Sequence, residues 1–354
     1  MDVDIFQKVL QQVENIETDE LHGFNAVLLP DFFVDHIVSF PDFKDGMAQI
    51  ESCVIQGGGN MPGLAQVIQQ GGNAANTALA LSMLGISSHL ICKTNDIGMS
   101  LLDFFLKRFG VDISHAKSGG CLASTVALEF GKNHSNVFLQ DAGSVETFDI
   151  CDLNDTDWEL ISSSDIVGVM NWSLNKTGTK LAKEVFSFAK DHDVLTYIDT
   201  GDPSPRSEDI SNLIGTVLSC GLVDFFSLNE NEIRRYSGIS CGIAPDEILE
   251  AGSILLEKVD ARLDIHTAMR SYSLSRSDKT DVQAVPLMKV CRATGAGDVW
   301  NAGNILGELA GFSSKHRIAF ANLLAGCYIS KKDPLPPTLG ELCSFTNEII
   351  TREA

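Results

Sequence analysis

An α/β fold is what this sequence predicts: a mostly parallel central sheet with helices on both faces, interrupted by two segments of β-hairpin character. Three observations point there. From Phe24 onward, short apolar runs alternate with helical stretches, the rhythm of strands buried between two helical layers. Two segments, about 35–61 and 123–140, interrupt that rhythm with strand-like residues around glycine-containing turns. Finally, Arg292 to Gly303 reads RATGAGDVWNAG, which sets small residues and one acid where a helix begins after an apolar run.

The elements follow in order. Residues 1 to about 22 carry an amphipathic helical pattern through Ile5, Phe6, Val9, Leu10 and Val13. Strands are expected at Ala26–Leu29, His89–Cys92, Ile166–Met170, Leu195–Ile198, Phe225–Leu228, Leu263–Thr267 and Val285–Val290. Helices are expected at Asn73–Leu84, Ser100–Phe109, Thr177–Lys190, Ser207–Cys220, Glu230–Tyr236 and Pro245–Val259, and from the GAGD run to Ala310, where Gly311 supplies the stop. The two interrupting segments read as hairpins that turn at Gly57-Gly58-Gly59-Asn60 and Gly131-Lys132-Asn133-His134. The run Pro334-Leu335-Pro336-Pro337 reads as a turn before a last helix. No repeat or interdomain linker divides the chain, so residues 1–354 are expected to form one domain with the two hairpin segments inserted in it.

Composition narrows the function classes. The 354 residues are 44% hydrophobic and 21% charged, and no apolar run reaches membrane-spanning length. The N-terminal stretch is polar and acidic rather than signal-like, so a cytoplasmic protein is expected. Nine scattered cysteines without a C-x-x-C pair suit reduced thiols, and eight dispersed histidines give no zinc site. A net charge of −21 argues against nucleic acid and anionic membranes as partners. An anionic ligand would have to be drawn by local features instead.

Thr294-Gly295-Ala296-Gly297-Asp298 is such a feature. Small residues let the free N–H groups of a helix start approach an anion, and the helix dipole favours negative charge there. Asp298 in the first turn either complements the dipole or accepts the proton of an attacking hydroxyl. Three further stretches agree in order: Gln70-Gly71-Gly72-Asn73-Ala74-Ala75-Asn76 leading to Leu84-Gly85, then Asn229-Glu230-Asn231-Glu232, and the acids Asp31 and Asp35 after the first strand.

Together these motifs resemble the PfkB/ribokinase family of carbohydrate and nucleoside kinases, from about Ala26 to Thr338. GAGD is similar to the family's second signature, GGxxxN to its first, and Asn229 to Glu232 to its N-x-x-E motif. The resemblance implies a ribokinase-like fold and an ATP-dependent transfer of a phosphoryl group to a hydroxyl of a sugar or nucleoside. Asp298 would be the base, with the Gly295, Ala296 and Gly297 amides as anion hole. Asp31, Asp35, Gly71, Gly72, Asn73, Asn76 and Asn171 would meet the substrate. Thr294, Asn229, Glu232, Thr267 and Arg270 would meet the nucleotide, with Asn229 and Glu232 ordering the waters of Mg²⁺. Asn229 with Glu232 also reads as a helix capping box. In the family, insertions at the two hairpin segments, about 35–61 and 123–140, form a small β-sheet lid over the substrate and often a dimer surface, so the resemblance implies that lid here and a homodimer through it.

The pattern departs in two places. Arg292-Ala293 stands where family members carry an acid and a threonine that hold a monovalent cation. Arg292 would replace that cation, so none would be required, or would be a surface arginine. After His266-Thr267 the chain reads Ala268-Met269-Arg270 in place of glycines, which hinders close backbone approach to a nucleotide. The segment Asp199 to Pro203 with Arg206 is only loosely similar to the family's D-P-N-x-R, and Asn171-Trp172 could line the pocket. A silent metabolite-binding protein on a kinase fold is the alternative. A dinucleotide oxidoreductase is disfavoured, because no G-x-G-x-x-G follows the first strand.

Overall fold

Along β1 (Asn25–Leu29) the side chains alternate between two cores: Ala26 and Leu28 enter one apolar cluster, Val27 and Leu29 the other. A strand buried on both faces reads as a continuous apolar run. In this computed structural model, which describes residues 3–131, 135–239, 242 and 244–353, β1 lies near one edge of an eight-stranded sheet. The strands in chain order are β2 (Phe33–Phe40), β3 (Ala65–Gly71), β4 (Ser87–Leu90), β5 (Ala123–Phe130), β6 (Ser135–Asp141), β7 (Ile166–Met170), β8 (Leu195–Asp199), β9 (Phe225–Asn229), β10 (Arg262–His266), β11 (Arg270–Leu274) and β12 (Lys279–Gln283). The main sheet runs β12-β11-β10-β9-β8-β7-β1-β4. Its pairings are parallel from β4 to β10, and β11 and β12 close the other edge antiparallel. The mostly parallel α/β expectation holds.

The lid is a second sheet, β3-β2-β5-β6, and here the sequence reading needs correction. Asp35 to Met61 is not a hairpin. β2 leads instead into a helix, Phe43–Ile55, capped by Asp42, and its antiparallel partner β3 begins only at Ala65. Gly57 and Gly58 take positive φ just after that helix, so the glycines mark a helix exit. The second segment does form a hairpin, β5 with β6; of its expected turn, residues 132–134 lie outside the described residues. The central pairing of the lid, β2 with β5, is parallel and joins segments about ninety residues apart, which no local pattern encodes.

Other corrections are smaller. Val285–Val290 is irregular rather than a strand, while β11 and β12 were not anticipated. The expected helix Ser207–Cys220 is broken into a 3₁₀ turn, one α turn and a π turn. The helix Ala296–Leu309 ends as expected at Gly311, whose φ is 68°. At the N-terminus, Ile5, Phe6, Val9 and Val13 are buried in the same core as the helices Ser314–Ser330 and Leu339–Glu353.

A buried polar network lies between the sheet and the helices Ala296–Leu309 and Ser314–Ser330. Arg317 donates to both carboxylate oxygens of Asp264 at 3.0 and 3.1 Å, and Arg262 and Asn304 also donate to Asp264. Burial opposes ionisation of Asp264, but the Arg262 and Arg317 guanidiniums outweigh it and hold the carboxyl far below its usual range.

Candidate active site

Beyond the C-terminal ends of β8, β9 and β10, and under the lid, lies a cavity of about 350 Å³. The helix Ala296–Leu309 presents its N-terminus there. Gly295 caps it in the left-handed region, φ 82°, and a Cβ on it would stand 2.9 Å from the Tyr328 hydroxyl. A Cβ on Gly297 would sit 3.2 Å from the His266 ring. The Ala296 amide is already engaged, donating to Ala293 O at 3.2 Å, so of the three expected anion-hole amides this one turns away. Thr294, Gly295, Gly297 and Asp298 line the cavity.

Asp298 is buried, and its Oδ2 accepts a hydrogen bond from Asn76 Nδ2 at 2.8 Å. Burial drives its pKa well above the ordinary carboxylate range, Asp199 adds to the rise, and the Asn76 bond opposes it. Asn76 is thus the orienting partner of Asp298.

The double glycine is explained by two carboxylates. A Cβ on Gly71 would overlap the Asp35 carboxyl, and one on Gly72 would meet Asp31 Oδ2 at 2.9 Å with φ already at 96°. Asp35 faces the cavity from β2, and burial pushes it up to about 6. Asp31 does not face the cavity. It is fully buried and caps the following helix, accepting from the Asn73 and Ala74 amides and from Asn171 Nδ2, each at 2.8 Å. The expectation that Asp31 meets substrate is therefore corrected: its oxygens are engaged in holding the Asn73 helix and Asn171 in place. Asn73, Asn76, Asn171 and Gly72 do line the cavity, whereas Gly71 packs behind Asp35.

Asp199 lines the same cavity and was passed over in the sequence beyond a loose motif match. Its Oδ1 accepts from the Gly201 amide at 2.9 Å and from Asn73 Nδ2 at 3.4 Å, and its Oδ2 from Asn301 Nδ2 at 2.6 Å. Asn301 cannot flip without loss, because its Oδ1 accepts from Tyr197 and Ser227. A pointer did exist in the sequence, since Asn301 stands three residues after Asp298 on the same helix.

Asn229 and Glu232 form the capping box: Asn229 Oδ1 accepts from the Glu232 amide at 3.1 Å, and Glu232 Oε2 accepts from the Asn229 amide at 2.8 Å. They also line the cavity, so the structural and ligand-facing readings coexist. Burial raises the Glu232 pKa well above its ordinary value, with Asp199 contributing.

A second cleft of about 740 Å³ adjoins the cavity through Asn229, His266 and Gly297. Its walls are largely apolar, with Val285, Pro286, Leu287 and Ile329 among them. His266 sits between the two spaces, and burial holds its imidazole down at about 4, so it is neutral at pH 7.

The profile of the pfkB family carbohydrate kinases matches residues 56–339. The chain belongs to this family. It is a phosphotransferase whose acceptor is a hydroxyl group. Ribokinase from Haemophilus influenzae is 22% identical over 302 residues, covering 84% of this chain and 90% of that protein. Among solved structures, Arabidopsis thaliana ribokinase complexed with ribose and ATP superposes with a TM-score of 0.71 at 16% identity, covering 91% of this chain and 98% of that one. Adenosine kinase from Sinorhizobium meliloti gives 0.74 at 18%, with 92% and 99% covered. At these identities the superpositions show the ribokinase fold.

Several expected ligand residues of this kinase are drawn elsewhere. Arg270 pairs with Asp281 on β12 and lines a separate small cavity beside Ile5 and Phe6, so it is not part of the second cleft. Thr267 lines the cleft, but its hydroxyl donates to Arg270 O at 2.7 Å and closes the β10–β11 turn. Trp172 is core, with Arg206 stacked over its ring at 4.2 Å, and Arg206 is held by Asp209 and by backbone carbonyls of Trp172 and Asn175. Arg292 does line the cleft; its guanidinium donates to Lys332 O and lies 5.3 Å from the Tyr328 ring centre.

Proposed function

We propose that this kinase transfers the γ-phosphoryl group of ATP to a hydroxyl of a sugar or nucleoside, with Asp298 as the base. The observation that carries the reading is the placement of Asp298: one carboxylate oxygen is fixed by Asn76, and the group stands at the helix start whose Gly295 and Gly297 line the same cavity. The apolar cleft suits the nucleotide's base, and its junction with the cavity suits the phosphate chain. The acceptor hydroxyl attacks phosphorus in line, and its proton passes to Asp298 as the P–O bond forms and the bond to ADP breaks. A hydroxyl is a far weaker acid than a carboxyl, so the proton moves late; the raised pKa of Asp298 narrows that gap. The lid shields the transfer from water.

Mg²⁺ fits this site as an ion carried by the nucleotide. Asp199, Asp202, Glu232 and Asp298 line the cavity, a field that favours a cation. Among the described residues no three ligand side chains cluster tightly enough to hold a metal directly. Asn229 and Glu232 would meet its waters, and the ion would neutralise phosphate charge. Arg292 takes the place of a monovalent cation in this reading, supported by its bond to Lys332 O and its position in the cleft wall.

A homodimer through the lid completes the reading. The register sets Ile68, Val137 and Leu139 on the lid face opposite Asp35 and Thr125, and all three are exposed. A cytoplasmic location is supported by eight described cysteines that all stand free. The test is an ATP-turnover screen with Mg²⁺ over sugars and nucleosides, with and without potassium. Substrate-dependent ADP release, unchanged by potassium, is the expected result. Stabilisation by a metabolite without turnover would return the silent binding protein. Sedimentation of Leu139→Asp beside the wild type tests the dimer, which the substitution should split into monomers.

A further inference from the structure

We infer that the acceptor cavity is built for an uncharged polyhydroxylated compound and excludes sugar phosphates and sugar acids, an inference that rests on the kinase reading above. Five carboxylates line the cavity, those of Asp35, Asp199, Asp202, Glu232 and Asp298, and among the described lining residues there is no lysine or arginine. His266, the remaining basic group there, is held neutral by its surroundings.

The amide donors do not offset this. Asn73, Asn76 and Asn171 each already donate to a carboxylate, of Asp199, Asp298 and Asp31 respectively. An anionic substituent on the acceptor would therefore meet like charge with no cationic partner, only neutral donors such as the Gln140 amide. A hydroxyl, by contrast, donates to the same carboxylates, and Phe33 and Phe138 offer apolar faces to the ring that carries it. Arg234 and Arg235 line an adjoining cavity that shares Asp202, Asn229 and Glu232 with this one, and neither lines the acceptor cavity itself. The described β5–β6 ladder ends at the pair Phe130 and Ser135, five positions along the strands from the cavity-lining Thr125 and Gln140, roughly 17 Å at strand rise. The nucleotide's own phosphates enter with their metal ion and so escape this penalty.

Free sugars and nucleosides share the required chemistry, and matched pairs separate them while testing the charge rule. Calorimetric binding is measured with the neighbouring cleft filled by ADP and Mg²⁺, comparing ribose with ribose 5-phosphate, glucose with gluconate, and adenosine with AMP. The expected result is that a neutral member binds at least 10-fold more tightly than its anionic partner, and that Asp35→Asn narrows that ratio. An anionic member binding as tightly as its neutral partner overturns the inference, and so does a panel in which no neutral member binds. Neutral binding without ADP release when ATP replaces ADP would refute the kinase reading and leave the charge rule standing. ADP release with a sugar phosphate would do the reverse.

Discussion

Asp298 sits in the first helical turn with its carboxyl buried, four residues after Thr294 and within a hydrogen bond of Asn76. Replacing it by Asn keeps shape and lets the side-chain oxygen still accept from Asn76. It removes the proposed proton acceptor, so turnover should fall by about 10²–10⁴-fold in a steady-state assay while acceptor binding persists. The same variant should melt no lower than the wild type. A buried carboxyl with a raised pKa destabilises the fold once ionised, and the amide carries no charge. A lower melting temperature would mean that the carboxylate holds the helix start together, as in the bland reading of its sequence position. Of these features, GAGD and its acid were legible in the sequence. The role of Asn76 was not: it lies 222 positions away along the chain.

At the scale of elements, the Gly71-Gly72 corner and the Asp264 network carry the expectations. Gly72→Ala adds a Cβ at positive φ against Asp31, the residue that caps the Asn73 helix. It should cost about 1–3 kcal/mol in denaturant unfolding and raise the KM for acceptor, since Asn73 and Asn76 move with that helix. Asp264→Ala removes the bidentate partner of the buried Arg317, leaving Glu308 as its ion-pair partner, and should cost about 3–5 kcal/mol. Its effect should extend to catalysis, because Asn304 and Tyr197 link Asp264 to Asn301 and so to Asp199. The parallel strands and the helices between them were readable because each buries a local apolar pattern. The lid was misread because the Asp42-capped helix interrupts what looked like a hairpin, and β2 pairs with β5 only in three dimensions.

For the whole molecule, the concentration of acid in one cavity and, with Asp31, just behind it sets the pH response. Asp31, Asp35, Asp199, Asp298 and Glu232 all have folded pKa values raised by burial, Asp35 to about 6. Raised carboxylates contribute stability that is present below their unfolded values and lost as pH rises through the folded ones. His266 opposes this: held down at about 4, it loses stability as pH falls from its ordinary value toward 4. Five groups act against one, so the nucleotide-free protein should melt higher at pH 5.5 than at pH 7.5 in a scanning calorimeter. Below pH 4 the trend should reverse, as Asp157 and Asp264, whose pKa values are depressed, become protonated. A monotonic fall in melting temperature from pH 7.5 to 5.5 would show that the cavity's carboxylates are better solvated than their burial implies.

By itself the sequence determined the parallel α/β core, the family and the residues at the starts of the Asn73, Glu230 and Ala296 helices. These are local features: apolar runs, helix-start residues and glycines at positions where a Cβ would collide. Only the tertiary structure decided that Asp31 is a buried helix cap outside the cavity lining, that Arg270 pairs with Asp281 away from the second cleft, and that Asp199 lines the cavity with Asn301 bonded behind it. The physical reason is distance along the chain. A carboxylate's role is set by the donors that reach it, and here most of those donors arrive from other strands and helices.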